Sequence, residues 1–168
     1  LDAINFKSPM TFKLMSNTTG IPVLSSSLFK DVYDNNKWNF ALKVINEKEP
    51  LGDFVANVDT SGSSYTATPY KIHFYGVNQL LDVTRDEFHV TGTVTNAVGI
   101  NLLRSDKRVF GGAHRTNFSG SLLMPSDIKL SSVKYWTKFL SDDVIKAHAR
   151  DPENYGTLRP HQNAFLTQ

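Results

Sequence analysis

Cysteine is absent from the 168-residue chain, and this absence narrows its chemistry more than any other feature of its composition. Without a thiol there can be no disulfide scaffold, no thiolate metal site and no cysteine nucleophile. The absence does not fix the compartment, because a cysteine-free domain is stable in oxidising and in reducing surroundings.

Long apolar runs and strong charge are missing as well. No stretch approaches the ~20 apolar residues that span a bilayer, and no charged segment followed by an apolar one opens the chain as a signal peptide would. The formal net charge is only +2, and no basic run exceeds Lys107-Arg108, so neither a membrane span nor a nucleic-acid partner is expected. Because the first residue is Leu1 and not Met, we expect a processed product or a piece of a longer protein.

What remains is an ordinary globular composition, with 40% hydrophobic and 20% charged residues. A chain of this length forms one domain, which we place over residues 1–168.

Three stretches alternate apolar and polar residues with the period of two that half-buried strands show. They cover residues 38–44, 70–74 and 88–94. Gly76-Val77-Asn78 predicts a turn after the second stretch. Gly92 lies in line with the apolar residues of the third stretch, and it predicts a bulge or the close approach of another sheet.

The C-terminal half adds further strands. Val109-Phe110 predicts the start of a strand that runs into Gly111-Gly112. Residues 128–135 predict another strand, with a bulge where the apolar parity slips at Ser131-Ser132.

One helix is predicted, over residues 142–149. Ser141 is a favourable N-cap residue, Asp142 and Asp143 suit the positive end of the helix dipole, and Asp151-Pro152 ends the helix. The residues expected in the core of this region are Val133, Tyr135, Trp136, Val144 and Ile145. Seven or more short strands and a single helix near the C-terminus predict an all-β sandwich or barrel.

A resemblance to a known family makes the prediction of an all-β fold more specific. In residues 109–156, a V-F-G-G-A-H turn, F-S-G, the stretch D-I-K-L-S-S-V-K-Y-W and F-L-S-D-D-V-I-K-A-H follow one another. This order resembles the C-terminal part of laminin-G-like domains, in the concanavalin A-like lectin/glucanase superfamily. G-A-H-R-T-N-F-S-G and H-A-R-D-P-E-N-Y-G are also similar to modules in virion or tail-associated proteins of marine viruses.

The resemblance implies a two-sheet antiparallel jelly-roll sandwich with one short C-terminal helix. It also implies a module of a larger virion or extracellular surface protein, with residues 157–168 as the exit linker. The expected function is non-enzymatic recognition or assembly, with other domains or subunits, or a host-surface glycan, as partners. A purely structural module between subunits is the alternative.

Glycoside hydrolysis is a weaker alternative, since the superfamily contains glucanases. These enzymes need two facing carboxylates, and their E-x-D-x-x-E pattern is absent. Glu47 and Glu49 come closest in spacing but lie beside Pro50, and the adjacent Asp86 and Glu87 would face opposite ways in a strand. Because the chain also has no G-x-S-x-G motif and no zinc-ligand spacing of its histidines, we expect no enzyme.

Two candidate binding sites remain. The turn after Gly111-Gly112 gathers polar residues, and a self-contained turn bonded to its own backbone is the simpler explanation for them. The candidate ligand-binding residues are His114, Arg115, Thr116 and Asn117, with Tyr75 among the aromatic residues for a sugar platform. Calcium is the cofactor to consider, because the superfamily binds it through clustered acidic and amide oxygens. The calcium candidates, for which solvated loops are the alternative, are Asp31, Asp34, Asp53 and Asp59.

Overall fold

The structure is a computed structural model that describes residues 9–30, 32, 36–47, 68–80, 83–107, 109, 111–112, 114–115, 120–123, 129–137, 139–151 and 153. Antiparallel strands dominate these residues, as the all-β prediction requires, and two short helices accompany them. In chain order the elements are β1 (Lys13–Leu14), β2 (Leu24–Ser25), β3 (Trp38–Asn46), β4 (Tyr70–Leu80), β5 (Val83–Val94), α1 (Asn96–Arg104), β6 (His114–Arg115), β7 (Leu122–Leu123) and α2 (Asp142–Arg150).

A three-stranded antiparallel sheet in the order β3-β4-β5 forms the centre of the described region. The period-two stretches predict all three of its strands correctly. Leu42 pairs with Phe74, and Phe74 pairs with Val90, so the apolar residues of the three strands share one face. β1 pairs with β2, and a two-residue bridge between Met10 and Phe29 extends this smaller sheet.

The smaller sheet packs its apolar residues against one face of the central sheet. Phe12 stacks on Phe88 with ring centroids 5.6 Å apart and lies 4.7 Å from the ring of Trp38. Gly92 is a point of close approach, because a Cβ there would lie 2.7 Å from Pro22 and 2.8 Å from Leu24. The close approach predicted at Gly92 is therefore confirmed.

Helix α2 covers the opposite face of the central sheet. Its buried residues Ile145 and Ala149 pack against Tyr75 and Val77 of β4. The helix begins as predicted, since the Ser141 side chain accepts a hydrogen bond from the Val144 amide. β4 is thus buried on both sides, by aromatic rings on one face and by a helix on the other.

The turn predicted at Gly76-Val77-Asn78 is wrong. β4 continues to Leu80, and Val77 is completely buried within it. Gly76 marks close packing here, because a Cβ at this position would lie 2.3 Å from the Phe88 ring. The glycine makes room for the ring of the neighbouring strand.

Helix α1 was not predicted. It follows β5 directly, and the Thr95 side chain caps it by accepting a hydrogen bond from the Val98 amide. Five of its nine residues are valine, isoleucine, asparagine or glycine, which have weak helix propensity, so the local helical signal is weak. Tertiary packing stabilises the helix despite its weak propensity, because Gly99 is buried and Val98 and Leu102 pack against the apolar core.

The strands predicted at 109–110 and 128–135 do not form in the residues described. Val109 lies outside any strand, and residues 129–137 have no regular structure; Phe110 and Ile128 are outside the described residues. Val133 and Tyr135 are 63% and 77% exposed, so placing them in the core was wrong, as it was for the 42% exposed Trp136. A strand forms only where a neighbouring backbone supplies hydrogen bonds, and period-two alternation cannot show whether one does. Of the other two predicted core residues, Ile145 is buried and Val144 is half-buried. The exit linker predicted at 157–168 lies outside the described residues.

Substitution of Gly99 by Ala tests the packing of α1. In an exposed helix this change would add up to about 1 kcal/mol of stability. Here the new Cβ would lie 2.4 Å from the Tyr70 ring, so we expect a net loss of about 1–2 kcal/mol from overpacking. Urea denaturation measures the change, with Asn101→Ala on the exposed side of α1 as the control. A stabilised Gly99→Ala variant would contradict this packing.

Candidate functional site

The face of the central sheet that lies under α2 gathers ionisable side chains. Strand alternation and antiparallel register place them together, since Lys43 pairs with His73 and Tyr75 pairs with His89. Glu87 lies two residues before His89 on the same face. The first turn of α2 adds a carboxylate to this group.

Lys43 is the buried cation of this face, with only 8% of its surface exposed. Its Nζ donates to Oδ1 of Asp142 at 2.5 Å, and the same Nζ lies 4.7 Å from the centre of the Phe139 ring. A buried ammonium needs a paired charge, and the first turn of α2 provides it.

Two histidines extend this ion pair across the sheet. Nδ1 of His89 lies 3.1 Å from Oδ2 of Asp142, and Nε2 of His89 lies 2.8 Å from Nδ1 of His73. We call Lys43, His73, His89 and Asp142 the histidine cluster. Two imidazole nitrogens share one hydrogen bond, so one of them must accept it with a lone pair. The two rings therefore cannot both be imidazolium cations in this arrangement.

The electrostatics of the histidine cluster agree with this geometry. Burial, and then the charges of His89 and Lys43, lower the pKa of His73 below its ordinary value of 6.5. Burial alone would raise the pKa of Asp142, but its hydrogen bonds to Lys43 and His89 and their charges outweigh that effect and lower the pKa. At neutral pH, His73 is therefore neutral and Asp142 is ionised.

A second group of contacts lies beside the first. The Tyr75 hydroxyl donates to Oε2 of Glu87 at 3.2 Å, and Nζ of Lys146 on α2 lies 2.6 Å from the same oxygen. Burial and the nearby Glu87 carboxylate raise the pKa of Tyr75 above its ordinary value of 10.0. The phenol therefore stays protonated and acts as a fixed hydrogen-bond donor.

These groups are arranged to hold α2 against the sheet. The Glu87 and Asp142 carboxylates each contact a lysine, and the Tyr75 phenol is held in its neutral form. General acid catalysis by a carboxyl group needs a raised pKa, and the pKa of Asp142 is lowered. Within the described ranges no three His, Asp or Glu side chains could together hold a metal ion.

The residues predicted to bind a ligand lie in different places. Tyr75 is buried under α2. His114 and Arg115 form β6, which pairs with β7, and Thr116 and Asn117 are outside the described residues. The four calcium candidates also lie outside the described residues: Asp31, Asp34, Asp53 and Asp59.

The sequence did not predict the histidine cluster as a site. The period-two alternation places Lys43, His73 and His89 on the polar faces of their strands, and the strand register confirms this. The residues come from positions up to 99 apart in the chain, so no local motif joins them. The one available signal was that three neighbouring strands each carry a basic or imidazole residue on the polar face.

No model of a protein family, no curated protein and no solved structure matches this chain. Among the described residues, no helix is long and apolar enough to cross a membrane.

Asp142→Asn should destabilise the fold by about 1–3 kcal/mol, because it leaves the buried Lys43 without a countercharge in a site that is only partly screened by solvent. Asp143→Asn is the matched control: it removes the same charge from the same helical turn, at an exposed position. The control should cost no more than about 0.5 kcal/mol through the helix dipole. Equal losses in urea denaturation would show that Lys43 does not depend on Asp142.

The raised pKa of Tyr75 predicts a loss of stability at high pH. The unfolded chain ionises this phenol above about pH 10 while the folded chain keeps it neutral, so this contribution is present below pH 10 and is lost above it. The expected slope is up to about 1.4 kcal/mol per pH unit. Tyr75→Phe should make the alkaline slope shallower, whereas Tyr135→Phe, at a 77% exposed position, should leave it unchanged. Identical slopes in the two variants would contradict this assignment.

Proposed function

We propose that this chain is a non-enzymatic assembly or recognition module of a larger virion or extracellular surface protein. The observation that carries the proposal is a run of large apolar side chains exposed next to α2. We call residues 129–137 together with Phe139 the aromatic segment. Its exposed fractions are Leu130 58%, Val133 63%, Tyr135 77%, Trp136 42% and Phe139 41%.

Isolated exposed apolar residues are common, but a local group of this kind marks an interaction surface. Tyrosine and tryptophan are also enriched in the cores of protein interfaces, because they bury a large area with few rotatable bonds. A partner surface that covers the aromatic segment would remove this apolar area from water.

The aromatic segment is attached to the folded part of the protein. The ring of Trp136 lies 5.2 Å from the ring of His148 on α2, and Nζ of Lys134 lies 3.1 Å from Nδ1 of the same histidine. These contacts anchor one side of the segment while Val133 and Tyr135 stay in solvent. A partner would therefore meet a surface that is already partly ordered, which lowers the entropic cost of binding.

The proposed architecture is a two-sheet jelly-roll sandwich of laminin-G-like type. Its support is the packing of β1 and β2 across one face of the central sheet, with Gly92 at a point of close approach. The resemblance of residues 109–156 to laminin-G-like domains suggests the same family. In this architecture α2 is the short C-terminal helix.

The hydrolase alternative has less support. A glycosidase uses one carboxyl as a proton donor and another as nucleophile or base. Asp142 is held ionised by Lys43 and His89, and Glu87 contacts Lys146 and Tyr75. The contacts of both carboxylates attach α2 to the central sheet.

Glycan recognition is the second candidate. A sugar stacks on an exposed aromatic ring, and Tyr135 presents such a ring with 77% of its surface exposed. In the assembly version the partner is a protein surface, and in the recognition version it is a glycan. The aromatic segment is the binding surface in both.

Self-association tests the assembly version, because the aromatic segments of two copies can cover each other. In sedimentation velocity over a range of concentrations we expect the wild-type chain to associate. Val133→Ser should weaken the association about tenfold, which corresponds to about 1.4 kcal/mol. Val23→Ser is the matched control, since Val23 is 61% exposed and lies outside the segment, and it should have no effect.

A glycan array with the same chain tests the recognition version. A monomeric chain with glycan hits that Tyr135→Ser abolishes would assign the segment to glycan binding. A monomeric chain without such hits, or equal effects of Val133→Ser and Val23→Ser, would overturn the role of the aromatic segment. Turnover of an oligosaccharide would overturn the non-enzymatic proposal.

A further inference from the structure

We infer that two copies of this chain dimerise through the outer edge of β3, the edge that faces away from β4, so that their central sheets join into one antiparallel sheet. This inference goes beyond the proposed function, because it concerns a part of the surface other than the aromatic segment. It is based on the backbone of β3, on the apolar side chains exposed along this strand, and on the way its sequence pairs with itself.

β3 is an edge strand of the central sheet. Among the described residues, β4 is the strand that pairs with it, over the full length from Trp38 to Asn46. Between Phe40 and Val44, the backbone N–H and C=O groups that point away from β4 have no ladder partner within the described part of the chain. An edge of this kind can take up a further strand, because each of its backbone groups forms a hydrogen bond when one is offered.

The two edges of the central sheet differ in their protection against such pairing. β5, at the opposite edge, has three consecutive charged residues from Arg85 to Glu87. Its pairing with β4 is also interrupted by a register shift after Asn78. Charged side chains and irregular pairing are features by which natural proteins keep edge strands from joining other sheets.

β3 lacks these features. Its nine residues contain no proline, and its pairing with β4 runs without a register shift. Its one charged residue, Lys43, is buried and paired with Asp142, so the charge does not protect the edge. On the apolar face, Phe40 and Leu42 are 50% and 55% exposed. A long, regular and apolar edge strand of this kind favours association with a second strand.

The sequence of β3 fits a second copy of itself in antiparallel register. When Leu42 lies opposite Leu42 of the second copy, Phe40 comes opposite Val44. On the other face Ala41 comes opposite Lys43, so apolar side chains pair with one another and no like charges meet. Because Leu42 is the middle residue of β3, this register pairs all nine residues, whereas a register centred on Lys43 would place two lysines opposite each other. The contact is the same for both copies, so it closes as a twofold dimer.

The position of α2 leaves room for this dimer. Ile145 and Ala149 place the helix over Tyr75 and Val77 of β4, one strand away from the joining edge. In the joined sheet the two β4 strands are three strand spacings apart, about 14 Å. Packed helices need only about 8–10 Å between their axes, so both copies of α2 fit on the same face.

Cross-linking is a direct test, because the chain contains no cysteine of its own. Leu42→Cys places one thiol at the centre of the contact, where opposite Cβ atoms lie about 4.5–5.5 Å apart, close to the distance that a disulfide spans. Under mild oxidation with diamide, this variant of the intact chain should form a covalent dimer. Leu122→Cys is the matched control, at a leucine of β7 that is 53% exposed, and it should not cross-link. Equal cross-linking of the two variants, or none in Leu42→Cys, would overturn the β3 dimer.

Leu42→Lys tests the same contact without a thiol, in the Val133→Ser background so that the aromatic segment does not contribute. In sedimentation velocity it should raise the dissociation constant of the dimer about five- to tenfold, because two ammonium groups then face each other. Leu122→Lys in the same background should leave the constant unchanged. A loss of dimer with Leu42→Lys but no effect of Val133→Ser would contradict the role of the aromatic segment and support the β3 contact. An effect of Val133→Ser with none of Leu42→Lys would do the reverse.

Hydrogen exchange of the wild type covers the case in which a variant does not fold. In the dimer, the outward-pointing amides between Phe40 and Val44 donate to the second copy, so their protection should fall on dilution. The Gly99 amide donates to the Thr95 carbonyl within α1, and its protection should not depend on concentration. Protection between Phe40 and Val44 that stays constant on dilution would overturn the dimer.

Discussion

The buried ammonium of Lys43 is the constraint on which the arrangement of sheet and helix depends. A lysine that is 8% exposed cannot keep its charge without a compensating group, and the carboxylate of Asp142 provides it from 99 residues further along the chain. The ion pair sets where α2 begins on the sheet, and the apolar contacts of Ile145 and Ala149 set how it lies there. Lys37 adds a third attachment, since its Nζ donates to the Ala149 carbonyl at the other end of the helix.

The central strand β4 separates two kinds of packing. On one face Ile72 and Phe74 belong to an aromatic core whose attraction is apolar and insensitive to pH. On the other face Tyr75 and Val77 lie beneath α2 among ionisable groups, where stability depends on protonation. The strand can take part in both because its side chains alternate between the two faces.

The attachment of α2 and the exposure of the aromatic segment are related features. His148 of α2 contacts Trp136, while Asp142 at the first turn of the helix contacts Lys43 and His89. The ionisable groups beneath the helix, Lys43, Glu87, Asp142 and Lys146, are paired with one another. The apolar side chains beyond it are not covered, and we therefore propose that binding takes place at the aromatic segment.

Local sequence patterns predict part of the fold correctly and miss the rest. Alternation located β3, β4 and β5, because a half-buried strand repeats every two residues. Capping residues located the start of α2, because Ser141 satisfies backbone amides within its own turn. Gly76 misled the prediction, since a glycine that makes room for a ring on the neighbouring strand has the same local sequence as one that turns the chain. Residues 129–137 misled it too, because their alternation is present without the neighbouring strand that would complete it.

The sequence by itself therefore determined the three strands of the central sheet, the face of that sheet on which each side chain lies and the first turn of α2. All of these depend on contacts within a few residues. Only the tertiary structure decided that Lys43, His73, His89 and Asp142 meet, that the polar face of the sheet is covered, and that the aromatic segment is exposed. These outcomes depend on which surfaces pack together across long stretches of chain, and the burial and charge that follow from that packing give the side chains their properties.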